Sequence, residues 1–153
     1  MERVVHNRAS FNVPLTLKEI SGQTILDVDL AEIDLAGWCL ALCLLKENLV
    51  ETIFLTGSKR LGITQSNRKE LPGRATLNLT SNPLALSISA TELDYWLAFF
   101  LKYYRDRKAD VDHLDIEAEI LPQRRETAYV TLHVKDARPR VSSEEAKEIL
   151  GGT

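Results

Sequence analysis

Four cations crowd one stretch of this chain. Lys59, Arg60, Arg68 and Lys69 fall between Gly57 and Gly73, Arg74 follows, and Glu70 is the single acid among them. The whole chain carries 19 Lys and Arg against 22 Asp and Glu, a net charge of −3, so the excess is local. Ammonium and guanidinium groups beside glycine-flanked backbone amides suit phosphate or carboxylate oxygens. The run Gly57-Ser-Lys-Arg-Leu-Gly62 lacks the GxxxxGK[ST] spacing of a nucleotide phosphate loop. No aromatic side chain interleaves the charges to stack a base. Lys59, Arg60, Arg68, Lys69 and Arg74 are therefore the candidate contacts for an acidic protein partner, with a nucleic-acid backbone as a further reading. The whole span 57–74 reads as one long connection, of the kind that is either functional or a solvated connector.

Carboxylates raise a second chemistry. Asp27 and Asp29 lie two apart on one predicted strand and share a face. His113, Asp115, Glu117 and Glu119 do the same on another, with His133 expected near Glu117 across a hairpin. Acids from neighbouring strands can hold divalent metals, so Asp27, Asp29, Asp115 and Glu117 form the alternative set, that of a metal-dependent phosphate-ester enzyme. Alternating charge also describes the solvated face of an open sheet. Nucleophilic catalysis lacks a basis: there is no Gly-x-Ser-x-Gly elbow, and Cys39 and Cys43 sit in an apolar helical run as small hydrophobes. The reading is thus a binding or protein-interaction module without catalysis and without a cofactor.

The elements that must position these groups follow from periodicity. Residues 10–17 and 24–30 alternate as strands around a Ser21-Gly22-Gln23 turn. Asp34 is placed to cap a helix over Leu35 to Leu45, with Asn48 as its stop, and 50–56 is β-branched and extended. The order then returns: strands over 74–80 and 84–89, a helix from Glu92 to Arg107 capped by Thr91, and a strand over 111–121. A last strand, 127–135, pairs back as a hairpin with Val130, Leu132 and Val134 inward. Shifted by 60, Thr16/Thr76, Leu17/Leu77, Ser21/Ser81, Leu26/Leu86, Glu32/Glu92 and Asp34/Asp94 coincide.

These readings give one α+β domain over 1–137, with two helices on an antiparallel-rich sheet. The expected topology is a duplicated ββαβ unit (10–56 and 70–117) around a ferredoxin-like core with extra strands. Trp38, Leu42, Trp96 and Phe100 are expected in the core. Tyr95, Trp96, Phe99, Phe100, Tyr103 and Tyr104 make the second helix unusually aromatic, a face suited to packing and to self-association. Residues 138–153 read as a loosely held tail with a short helix from Glu144 to Leu150. Two cysteines four apart in a helix suit free thiols better than a disulfide. With no signal-like leader and no apolar run long enough to cross a bilayer, the expected location is the cytoplasm, away from membranes.

Overall fold

The computed structural model describes residues 8–66, 75–106, 113–121 and 126–135. The elements are β1 (Arg8–Asn12), β2 (Leu15–Ile20), β3 (Gln23–Ala31), α1 (Leu35–Lys46), β4 (Thr52–Thr56), β5 (Arg60–Gln65), β6 (Ala75–Asn78), β7 (Leu84–Ile88), α2 (Ala90–Asp106), β8 (His113–Leu121) and β9 (Thr127–Lys135). The α+β class and the two helices match the sequence reading. The sheet is not antiparallel-rich, however. Among the described residues, nine strands run in the order β1-β4-β5-β7-β6-β8-β9-β3-β2. Parallel pairs (β1–β4, β5–β7, β6–β8, β3–β9) alternate with antiparallel hairpins (β4–β5, β6–β7, β8–β9, β2–β3).

That alternation also removes the ferredoxin-like core. A split βαβ unit needs its helix to join two parallel strands flanking a third. Here β6 is antiparallel to β7 and parallel to β8, so α2 joins strands that run oppositely. Tracing directions through the ladder, β2, β4, β6 and β8 all point one way and β3, β5, β7 and β9 the other. The β2–β3, β4–β5 and β6–β7 turns therefore emerge at one end of the sheet, and both helices start at the other.

β1 and β2 occupy opposite ends of the strand order yet are consecutive in the chain. Asn12 pairs with Thr56 of β4 and Leu15 pairs with Val28 of β3. Between them the Val13 amide donates to Thr56 O at 3.0 Å, and Pro14 O accepts from the Asp29 amide at 3.0 Å. Proline has no N–H to give, so the ladder changes partner there at little cost. One segment thus bonds to both ends of the sheet and draws it closed.

Alternation sends Leu15, Leu26, Val28, Leu30, Ile53, Leu55, Leu61, Ile63, Leu77, Leu86 and Val130 inward, each at most 1% exposed. Both helices pack into the same core. Trp38, Leu42, Trp96 and Phe100 are fully buried, as expected. Trp38 stacks on Trp96 at 6.3 Å between ring centroids, and Phe11 and Phe100 meet it edge-on at 5.7 and 5.8 Å. Each such pair adds about 0.5–1.5 kcal/mol beyond area burial. The helices run antiparallel, for Trp38 meets Phe100 while Lys46 pairs with Asp94.

Local signals held with corrections. Ser21 and Gly22 both take positive φ, 52° and 78°, the two-residue hairpin whose twist suits the flanking strands. Asn48 (φ 58°) ends α1: its amide reaches Leu45 O at 3.1 Å and the Leu49 amide reaches Leu44 O at 2.8 Å, a Schellman closure. Asp34 stands before α1 but makes no side-chain cap bond, because a 3-10 turn over Glu32–Asp34 leads into the helix. Ser89, not Thr91, caps α2: its Oγ accepts from the Glu92 amide at 3.2 Å. The supposed long connection contains β5, whose Leu61 and Ile63 are core residues. The tail 138–153, with its expected short helix, lies outside the described residues.

Candidate functional site

The basic stretch is divided by the fold. Arg68, Lys69 and Arg74 lie outside the described residues. Lys59 and Arg60 stand at the turn end, on the tight β4–β5 turn, which is closed by a Gly57 amide bond to Lys59 O at 2.9 Å. That turn is pressed against the closing segment. A Cβ on Gly57 would overlap Val13 O and come within 2.8 Å of Leu15 N. Only glycine admits so close a backbone. Ser58 fastens the turn, its Oγ donating to Leu15 O at 2.5 Å.

Because β5 pairs in parallel with β7, with Leu61 opposite Leu84, the β4–β5 and β6–β7 turns emerge side by side. The second turn is shaped by Asn78, whose Oδ1 accepts from the Thr80 amide at 3.0 Å and from Thr80 Oγ1 at 2.7 Å. Between the two turns lies a depression of about 460 Å³ lined by Ser58, Lys59, Arg60, Leu79, Ser81 and Asn82, among others. The Arg60 guanidinium rests over the Phe54 ring at 4.3 Å from its centroid. Phe54 in turn covers Gly62, where a Cβ would stand 3.4 Å from the ring. Among the described residues no carboxylate pairs with Lys59 or Arg60. The depression thus sets two exposed cations beside hydroxyl and amide groups, the donor types that suit oxyanions.

The outward carboxylates are distributed otherwise. Thr131 of β9 stands opposite both Asp27 of β3 and Asp115 of β8. Those two acids are thus separated by two strand spacings, about 9–10 Å between backbones. Each carboxylate has a local partner. Lys18 Nζ meets Asp27 at 2.5 Å, Thr131 Oγ1 donates to Asp115 at 2.7 Å, and Tyr129 Oη donates to Glu117 at 3.1 Å. Asp29 lies one row on, opposite His133. His133 faces His113 across the hairpin, not Glu117: their rings are 5.6 Å apart, His133 Nε2 is 3.5 Å from Asp27, and His113 Nε2 is 3.4 Å from Asp115. Among the described residues no three His, Cys, Asp or Glu side chains converge as a metal site.

A second concavity, about 480 Å³, lies between the first turn of α2 and β8 and includes Glu92, Tyr95, Asp115, Glu117 and Glu119 in its wall. Burial raises the Glu92 carboxyl above its ordinary range. Sequence reading did not place Glu92 or Tyr95 beside the β8 acids, because only the packing of α2 on the sheet brings them there. The two thiols also part company. Cys39 is buried and its thiol is pushed up to about 11 by desolvation and by Cys43, whereas Cys43, read from the sequence as a small hydrophobe of the same apolar run, is exposed.

Comparison with protein-family models, with curated proteins and with solved structures gave no match. No helix among the described residues is long and apolar enough to cross a membrane.

Proposed function

We propose that this chain is a binding module without catalysis, and that the depression between the β4–β5 and β6–β7 turns receives a carboxylate- or phosphate-bearing segment of a protein partner. One observation carries the reading: Lys59 and Arg60 stand in a walled concavity with no carboxylate partner among the described residues. Solvated cations on a plain surface ordinarily have no such wall. Arg60 is pre-oriented by Phe54, which lowers the entropy lost when an anion is bound.

The test is fluorescence anisotropy with a labelled acidic peptide, comparing the parent with Lys59→Ala/Arg60→Ala at low and high salt. The parent should bind with strong salt dependence, and the double variant should lose binding with its melting temperature little changed, since exposed charges contribute about 0–1 kcal/mol to stability. Equal binding by parent and variant overturns the assignment. A duplex DNA competitor that displaces the peptide, with a log–log salt slope near −1.8 for two neutralised phosphates, would move the reading to a nucleic-acid backbone.

The architecture carries a companion reading, that the chain consists of two related ββαβ units, each extended by a further strand. Supporting it, Leu17 faces Leu26 in the first hairpin and Leu77 faces Leu86 in the second, the same register under the shift of 60 that aligns the sequence. The cross-unit pairs β3–β9 and β5–β7 are both parallel, as an approximate twofold relation requires.

A further inference from the structure

Helix α1 carries no charge from Leu35 to Leu45, yet one of its faces is open to solvent. Ala36, Gly37, Leu40 and Cys43 are exposed along that face, continued by Ile33 before the helix. Ile33 is 82% exposed and Leu40 60%. A helix apolar on every side is normally enclosed on every side. On α2, Ala98 and Leu101 follow Asp94 at helical spacing, on the side where Asp94 holds Lys46 of α1, and Tyr104 lies one turn on. The aromatic face of α2 expected to mediate association is largely spent in the core, for Trp96, Phe100 and Tyr103 are buried there. The open apolar surface runs instead along the seam between the helices, which the Lys46–Asp94 pair bridges at one end, with Glu47, Lys102 and Arg105 also charged and exposed beside it.

We propose that this seam is the contact face of a symmetric dimer, each copy covering the other's Ile33, Leu40, Leu101 and Tyr104. Area supports a second copy as the occupant. Two helices packed about 9 Å apart, of 17 and 12 residues and so about 25 and 18 Å long, present a face about 20 Å wide along their shared length. Counting its relief, that is on the order of the 800 Å² each partner gives to a standard interface. The face is also self-complementary in kind: large apolar residues flank small ones (Ala36, Ala98), so knobs of one copy meet hollows of its twofold mate. The mixed-charge rim contains both signs and admits a like rim opposite.

Cys43, exposed within the face, reports on it directly, while Cys39 is buried. The experiment uses the untagged full chain across about 1–100 µM, measuring sedimentation equilibrium and the rate at which Cys43 reacts with a thiol reagent. The expected result is a species of twice 17.2 kDa at the upper concentrations, with Cys43 slowed in proportion to dimer. Leu40→Glu should raise the dissociation constant by at least about 100-fold, because the symmetric contact buries the new charge twice. Leu40 is exposed, so the variant retains its circular dichroism spectrum. Leu40→Met, which keeps the apolar contact, should stay dimeric. A monomer throughout the range overturns the proposal, as does a dimer indifferent to Leu40→Glu. Slow Cys43 in a monomer, independent of concentration, also overturns it and assigns the face to another segment of the same chain.

Discussion

Gly57→Ala is the sharpest perturbation of this fold, because it acts on the seam where the sheet closes. The added methyl overlaps Val13 O, with Leu15 N at 2.8 Å and Leu15 Cβ at 3.1 Å, and most of these are backbone atoms with no side-chain torsion to relieve them. The β4–β5 turn and the 13–15 segment must part by several tenths of an ångström or more. The Val13–Thr56 bond at 3.0 Å and the Ser58–Leu15 bond at 2.5 Å are then strained or lost. Two hydrogen bonds at about 1 kcal/mol each, with overpacking of about 1–3 kcal/mol, give a loss of about 3–5 kcal/mol. For a chain of this size that lowers the melting temperature by roughly 10 °C. Gly62→Ala is the internal control. Its Cβ would meet only side-chain atoms, Thr52 Cγ2 at 3.3 Å and Phe54 Cε1 at 3.4 Å, and should cost no more than about 1 kcal/mol. Urea unfolding followed by fluorescence of the two buried tryptophans measures both. If Gly57→Ala falls within about 0.5 kcal/mol of the parent, or matches Gly62→Ala, the sheet does not close through this contact.

Trp38→Ala should cost about 3–5 kcal/mol in the same assay, since it empties the point where Phe11, Trp96 and Phe100 meet, and the unchanged partners leave a cavity. Ser89→Ala should cost about 1 kcal/mol by removing the acceptor for the Glu92 amide, whereas Thr91→Ala should be near neutral; equal effects would restore Thr91 as the cap. Burial raises the Glu92 carboxyl above 4.5, so the native state holds that proton more tightly than the unfolded chain. The associated stability is present below the unfolded value and is lost as pH rises through the folded one. Glu92→Gln should therefore gain melting temperature relative to the parent between about pH 4 and 7, and parallel pH profiles would contradict this. Cys39, pushed up to about 11 and buried, should resist thiol reagents at every protein concentration until the chain unfolds.

Local physics made much of this structure legible from residues alone. The Ser21-Gly22 hairpin, both helices, the stop at Asn48 and the inward set Val130, Leu132 and Val134 each follow from spacing and backbone preference. β5 escaped notice because Gly62 interrupts its β-branched pattern and Arg60 begins it with a charge, so only two alternating apolar residues, Leu61 and Ile63, mark it as a strand. The parallel pairs β3–β9 and β5–β7 could not be read. Alternation says which face of a strand is buried but nothing about which distant strand lies beside it. The switch of partners at Pro14 has the same character, for a proline between two alternating stretches reads as a turn or as an edge. Of the candidate anion contacts, Lys59 and Arg60 were legible as charge. Their neighbours Ser81 and Asn82 reach them only through the β5–β7 pairing.

The common direction of alternate strands has a practical consequence for anything attached to this domain. β1 begins, and β9 finishes, at the end of the sheet from which the helices start, so whatever is joined before Arg8 or after Lys135 sets out from that end. The three described hairpin turns, with Lys59 and Arg60 among them, project the opposite way. A form tethered directly at Arg8 or at Lys135 would hold those turns toward solution like the bristles of a brush. The same handle would crowd the helical seam. Immobilised protein thus suits measurements on the anion contact, and free protein suits measurements of self-association.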